Sequence, residues 1–178
     1  MDMNVLEMWQ AREREIRDAA QETGLARPEQ VMHRSGAEIF AAMLRGELPP
    51  PPITETLGFI LIEAEAGRAV FQGRPARAYY NPLGTVHGGW YATLLDSAVA
   101  CAVHSTLPAG RSYTTLELKL NMVKALTEKV PLVRAEGQVI HAGRQVATAE
   151  GRLYGADGTL YAHATTTCLI FDRPGAKG

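Results

Sequence analysis

Two glycines and one carboxylate hold the chemistry that can be read from this chain. Gly88 and Gly89 open a run, Gly88 to Leu107, that is small or apolar on nearly every face, and Asp96 stands inside it. A helix begun at the glycines leaves unpaired N–H groups and partial positive charge in its first turn, which is what the oxyanion of an attacked carbonyl requires. Glycine also lets such a group approach the backbone closely, although the pair taken alone reads equally well as a tight entry turn. Asp96 shifts the balance. A lone carboxylate in apolar surroundings is costly, and burial moves a carboxyl toward the range of a general base. Ala92, Thr93, Val99 and Ala100, one turn to either side, supply no cation. Water or a substrate is then a candidate partner, against the plainer reading of a structural hydrogen bond.

These two features cannot serve one carbonyl from one helix. Asp96 follows Gly88 by eight residues, so their backbones stand about 12 Å apart at ~1.5 Å per residue. Joint action needs a second copy of the helix, packed antiparallel about a two-fold axis, and gives two equivalent sites. A homodimer follows from the chemistry.

The elements that must position these groups divide at Pro49-Pro50-Pro51-Pro52, since consecutive prolines neither continue a helix nor join a sheet interior. Residues 1–48 are expected to form a helical extension, with helices over 5–21 and 28–44; 49–52 form a proline linker, 53–172 the main domain and 173–178 a tail. Within the domain, Leu116, Leu118, Leu120 and Met122 alternate with Thr115, Glu117, Lys119 and Asn121, a strand with one buried face. Segments 132–142, 145–154 and 159–171 predict three more strands on short Gly- and Asp-containing turns, and 59–64, 68–72 and 76–80 predict shorter ones. A helix apolar all round has to be enclosed. The fold class is therefore α+β: a five- to six-stranded antiparallel sheet wrapped around one long central helix.

Composition narrows the function. The formal net charge is −1, with 18 Lys and Arg against 19 Asp and Glu, so no global field favours nucleic acid or an anionic membrane. Gly88–Leu107 approaches the length of a membrane span, but Asp96 and His104 argue for a helix buried in protein. Cys101 and Cys168 sit in apolar contexts that suit reduced thiols. The charged amino terminus does not read as a signal or transit peptide, and a cytoplasmic protein is expected. His33, His87, His104, His141 and His163 show no ligand spacing and there is no C-x-x-C; neither a metal nor a cofactor is expected. Trp90, Tyr79 and Tyr80 read as packing residues.

The stretch Asn81-Pro82-Leu83-Gly84-Thr85-Val86-His87-Gly88-Gly89, with Asp96 in the helix behind it, resembles the hotdog thioesterases of the phenylacetate-pathway (PaaI-like) type. The resemblance extends over about residues 53–172 by order of elements. It implies a hotdog fold, an acyl-CoA substrate, and a site shared across a homodimer, itself part of a homotetramer. It further implies that Gly88 supplies the oxyanion N–H, that Asp96 is general base or nucleophile, and that Asn81 orients substrate or water. Thr115, at the start of the long strand, holds the water, with Thr114 as the alternative. His87, Gly89 and Thr114 are assigned to substrate binding, His87 also to fixing the turn. One departure stands out: the strand ends Val123-Lys124-Ala125 where the family carries a Pro-containing pair, at the edge of the expected CoA channel.

Three other readings compete. His87-Gly88-Gly89-Trp90 also resembles the oxyanion strand of α/β-hydrolases, but no G-x-S-x-G elbow is present. A hotdog dehydratase needs a His near the acid, and His104 lies about 12 Å along the helix from Asp96. The rival of another class is a hotdog protein that binds acyl-CoA without turning it over.

Overall fold

The computed structural model describes residues 4–173. Helix α1 (Val5–Ala19) starts at Asn4, whose side chain accepts the Glu7 N–H at 2.9 Å while the Glu7 carboxylate accepts the Asn4 N–H at 2.9 Å, a reciprocal cap. The segment expected as one helix over 28–44 is two, α2 (Pro28–Val31) and α3 (Gly36–Leu44). Ser35 begins a helix of its own: its hydroxyl accepts the Glu38 N–H at 3.3 Å, and Glu38 accepts the Ser35 N–H at 2.7 Å. The last of the four prolines opens a short helix, α4 (Pro52–Thr56), where the missing N–H costs nothing.

Six strands follow: β1 (Phe59–Glu65), β2 (Arg68–Gly73), β3 (Arg111–Met122), β4 (Val133–Ala142), β5 (Val146–Gly155) and β6 (Leu160–Asp172). They form one antiparallel sheet in the order β1-β2-β4-β5-β6-β3. Residues 76–80 are not the expected strand. Arg77–Tyr79 form a 3₁₀ turn, and Tyr80 bridges only Val86. The backbone there is spent on the approach to the long helix, the Tyr79 carbonyl accepting the His87 N–H at 2.8 Å, and Tyr79 stacks on Trp90 with ring centroids 5.8 Å apart.

Helix α5 (Gly88–Ser105) runs across the concave face of the sheet, giving the expected hotdog arrangement. Leu94, Leu95, Ala98, Val99, Ala102 and Val103 are fully buried along it. Each buried leucine contributes ~1.5–3 kcal/mol relative to exposure. Gly137 of β4 lies so close beneath α5 that a methyl group there would overlap the Ala98 backbone. Enclosure is not complete, however: Gly89, Ala92, Thr93, Asp96 and Ser97 form a partly exposed stripe, so the helix expected to be covered all round has one open face.

The amino-terminal helices close one end of this frame. On the outer face of β1 and β2, α1 packs Ile16 against Ile60, Ile62 and Val70, and the Arg134 guanidinium lies over the Trp9 ring at 4.5 Å. Edge strand β1 is short and bulged between Leu61 and Glu63, and the carbonyl of the bulged Ile62 accepts from Arg12 Nε at 3.2 Å. Helix α3 meets the far end of α5: the Gly36 N–H donates to the Leu107 carbonyl at 2.9 Å, and Phe40 joins the main core. At the other edge, β3 is a 12-residue strand with a single neighbour, and its Leu116 and Met122 are 60% and 58% exposed. Among the described residues no helix is long and apolar enough to cross a membrane.

Candidate active site

The loop ahead of α5 is built by Asn81. Its Oδ1 accepts the N–H groups of Leu83 at 2.9 Å and Thr85 at 3.3 Å, and its Nδ2 donates to Thr85 Oγ1 at 3.0 Å. Gly84 completes the turn at φ 80°, a left-handed conformation that glycine adopts freely. Asn81 thus places the start of α5, and within the chain its side chain is engaged in that turn.

His87 is the N-cap of α5, and its Nδ1 accepts the Gly89 N–H at 2.9 Å. This consumes one of the unpaired donors of the first turn and leaves its neighbour. The Gly88 N–H has no acceptor among the described residues, and it stands where the helix dipole is most positive. A methyl group on Gly88 would meet only the flexible end of Met122.

Asp96 lies on the open stripe of α5. Thr115 Oγ1 donates to Asp96 Oδ1 at 3.0 Å, across from β3 to the helix. Among the described residues Asp96 forms no ion pair. Its nearest titratable neighbours carry no charge at neutral pH: burial pushes the Cys101 thiol up to about 12 and holds the Tyr113 phenol well above its ordinary value. The carboxylate is therefore oriented by one hydroxyl and meets no cation among the described residues.

Of the residues singled out from the sequence, Asp96 and Thr115 come together directly, and Asn81, His87, Gly88 and Gly89 form one unit at the helix start. Thr114 is exposed on the other face of β3, as strand alternation requires once Thr115 points at the helix. Gly88 and Asp96 do not converge within one chain, being eight residues apart on the single helix α5. Cys101, read from the sequence as a reduced thiol, and His104, weighed there as a dehydratase histidine, cluster beyond Asp96 with Tyr113, which sequence reasoning did not single out; the His104 and Tyr113 rings are 5.1 Å apart. Tyr113 and Thr115 share the side of Leu118 and Leu120 because β3 is bulged between Thr115 and Glu117, whereas the sequence alternation put Thr115 on the opposite face, so no local signal pointed to Tyr113.

Comparison with known proteins gives a consistent set of likenesses. The family model of the thioesterase superfamily matches residues 83–162. A phenylacetic acid degradation-related protein from Ralstonia eutropha JMP134 is 36% identical, the match covering 73% of this chain and 98% of that one with a TM-score of 0.66. A variant of the phenylacetic acid degradation protein PaaI from Thermus thermophilus is 27% identical over 66% of this chain and 97% of its own, with a TM-score of 0.59. A 1,4-dihydroxy-2-naphthoyl-CoA hydrolase from Listeria monocytogenes serotype 1/2a (strain 10403S) is 26% identical over 92 residues, 52% of this chain and 73% of that protein.

Proposed function

The chain belongs to the thioesterase superfamily as a hotdog thioesterase of the PaaI-like type, and from that membership we propose that it hydrolyses an acyl-CoA thioester to the free acid and CoA, at a site shared by two copies of the chain. The observation that carries the reading is a carboxylate held by Thr115 on the same helix as the Gly88 N–H, the one without a counter-charge and the other without an acceptor among the described residues. A CoA thioester as substrate is supported by the Listeria relative, which is named for hydrolysis of one.

In this reading Asp96 of one copy takes a proton from water as the water oxygen attacks the thioester carbonyl, or attacks that carbonyl itself. The oxyanion accepts from the Gly88 N–H of the other copy. Collapse of the tetrahedral intermediate breaks the carbon–sulfur bond and releases CoA as thiolate; where Asp96 itself attacked, water then opens the resulting mixed anhydride, giving the free acid and restoring the carboxylate. Thr115 fixes the carboxylate rotamer, and His87, by taking the Gly89 N–H, leaves Gly88 as the unengaged donor.

Two surfaces support the second copy. The open stripe of α5 is made of small residues, and its hydroxyls are already satisfied: Thr93 Oγ1 donates to the Gly89 carbonyl at 2.9 Å and Ser97 Oγ to the Thr93 carbonyl at 2.8 Å. A second α5 can therefore approach closely without leaving the Thr93 or Ser97 hydroxyl unpaired. Beside the stripe, the free edge of β3 offers a ladder for a second β3. Antiparallel packing of the helices then brings each Asp96 toward the other Gly88.

Release of free thiol from a panel of acyl-CoAs tests the proposal. Turnover by the native chain, lost in Asp96→Asn, is the expected result. Undiminished turnover by Asp96→Asn would remove Asp96 from its role, and tight binding of acyl-CoA with no thiol released would make the chain a carrier or sensor.

A further inference from the structure

Beneath the amino-terminal helices lies a cavity of about 170 Å³, lined almost wholly by apolar atoms. The extension supplies one wall, with Ile16 of α1 and Phe40, Met43 and Leu44 of α3; the hotdog domain supplies the other, ending at Cys101, His104 and Tyr113. These last three residues lie in the interior yet keep part of their surface uncovered, so the space they face is the cavity. A void of ~150 Å³ with aliphatic and aromatic walls is dry and takes up a molecule such as benzene. This one is slightly larger.

Its inner end lies next to the candidate site. Tyr113 and Thr115 are successive inward-facing residues of β3, about 7 Å apart at ~3.4 Å per residue, and Thr115 holds Asp96. Tyr113 and Cys101 stand beside each other and close enough to Asp96 to feel its charge. An acyl chain whose carbonyl is at Asp96 would have to pass this pair to enter the cavity that they line. At its outer end the cavity shares Ala20, Pro50, Thr54 and Ile60 with an open depression of the surface, so a longer chain has an exit.

We infer that this cavity is the acyl compartment of the enzyme and that the amino-terminal extension, through Met43 in its wall and Ala20 at its rim, sets the length of acyl group accepted. The inference rests on the thioesterase reading above. Met43 is the choice for substitution because it lines the void on α3 and is only partly buried, and an unbranched side chain can be exchanged there with little disturbance elsewhere.

The test compares kcat/KM for acetyl-, hexanoyl- and decanoyl-CoA. In Met43→Trp, which fills the cavity, the hexanoyl-to-acetyl ratio is expected to fall at least tenfold. In Met43→Ala, which enlarges it, the decanoyl-to-hexanoyl ratio rises several-fold; damage to the fold alone does not move these ratios in opposite senses. Ala20→Phe, at a partly exposed rim position, closes the exit and lowers the decanoyl-to-hexanoyl ratio at least fivefold. Native turnover with ratios unchanged in all three variants overturns the inference while leaving the thioesterase reading intact. A native chain that releases thiol from other acyl-CoAs but from none of these three overturns the inference alone, and one that releases thiol from no acyl-CoA of the panel overturns both.

Discussion

Thr115 and Asp96 are joined by a single 3.0 Å hydrogen bond that spans strand and helix, and it is the only hydrogen bond to the Asp96 side chain among the described residues. A hydrogen bond to a charged group is worth ~1.5–3 kcal/mol. Thr115→Val keeps the shape and loses the donor, so kcat for acyl-CoA hydrolysis is expected to fall about 10- to 100-fold at ~1.4 kcal/mol per tenfold, with Thr115→Ser recovering most of it. Steady-state thiol release measures this. Equal activity in the valine variant would show that the carboxylate needs no such orientation.

Gly88→Pro isolates the oxyanion donor. Gly88 is the first residue of α5, where proline is well accommodated, and His87 already has the extended backbone, ψ 141°, that precedes a proline. The substitution removes the N–H with little cost to the helix, and activity is expected to drop ~10²–10³-fold.

Mixing Gly88→Pro with Asp96→Asn tests sharing of the site. Each variant alone is inactive. In a mixed pair, one site combines an intact Asp96 with an intact Gly88 and the other has neither. Random exchange of two inactive homodimers therefore restores about a quarter of native activity. No recovery after verified subunit exchange would place both groups of a working site in one chain.

His104 links stability to acid. Burial, with a smaller contribution from Arg173, lowers its pKa from 6.5 to about 4. The unfolded chain takes up this proton below about pH 6.5 and the folded chain only below about pH 4, so the fold loses stability as pH falls between the two, by about 3 kcal/mol at ~1.4 kcal/mol per unit. Urea midpoints at pH 7 and 4.5 should separate more for the native chain than for His104→Phe, which has no proton to take up there.

Gly36→Ala examines the docking of α3. A methyl group at this position overlaps the His104 carbonyl, a backbone atom that cannot swing aside. Overpacking of this kind costs ~1–3 kcal/mol. A thermal melt should show the loss. An unchanged midpoint would mean that α3 shifts freely on the end of α5.

Local patterns were legible in the chain and distant pairings were not. The alternation from Thr115 to Met122 announces a strand because period two is a property of neighbours, and Asp96 is conspicuous because it interrupts a helix of apolar residues. That β3 pairs with β6 and β2 with β4 depends on the sheet closing around α5, which no local period records. The break between α2 and α3 was written in Ser35-Gly36-Ala37-Glu38, a capping sequence, but the apolar stripe on either side of it masks the stop. Tyr79 and Tyr80 favour a strand, yet their backbone partners lie within the turn and in the loop before α5 rather than in a strand. The carboxylate's open face was missed for a related reason: apolar composition tells that a helix is covered by something, not that one chain suffices to cover it. The cavity was invisible because its walls come from residues 16–54 and 60–113, brought together only by the fold.

The two rims of the sheet differ in kind. Both edge strands are bulged, β1 between Leu61 and Glu63 and β3 between Thr115 and Glu117, but β1 has 7 residues with Arg12 seated on the Ile62 carbonyl, whereas β3 has 12. A body with two bare rims adds units without limit and grows into fibres; a body with one saturates after a single union. The shorter ladder and one arginine therefore blunt the β1 rim, and unlimited growth through the sheet edges is disfavoured whatever β3 pairs with.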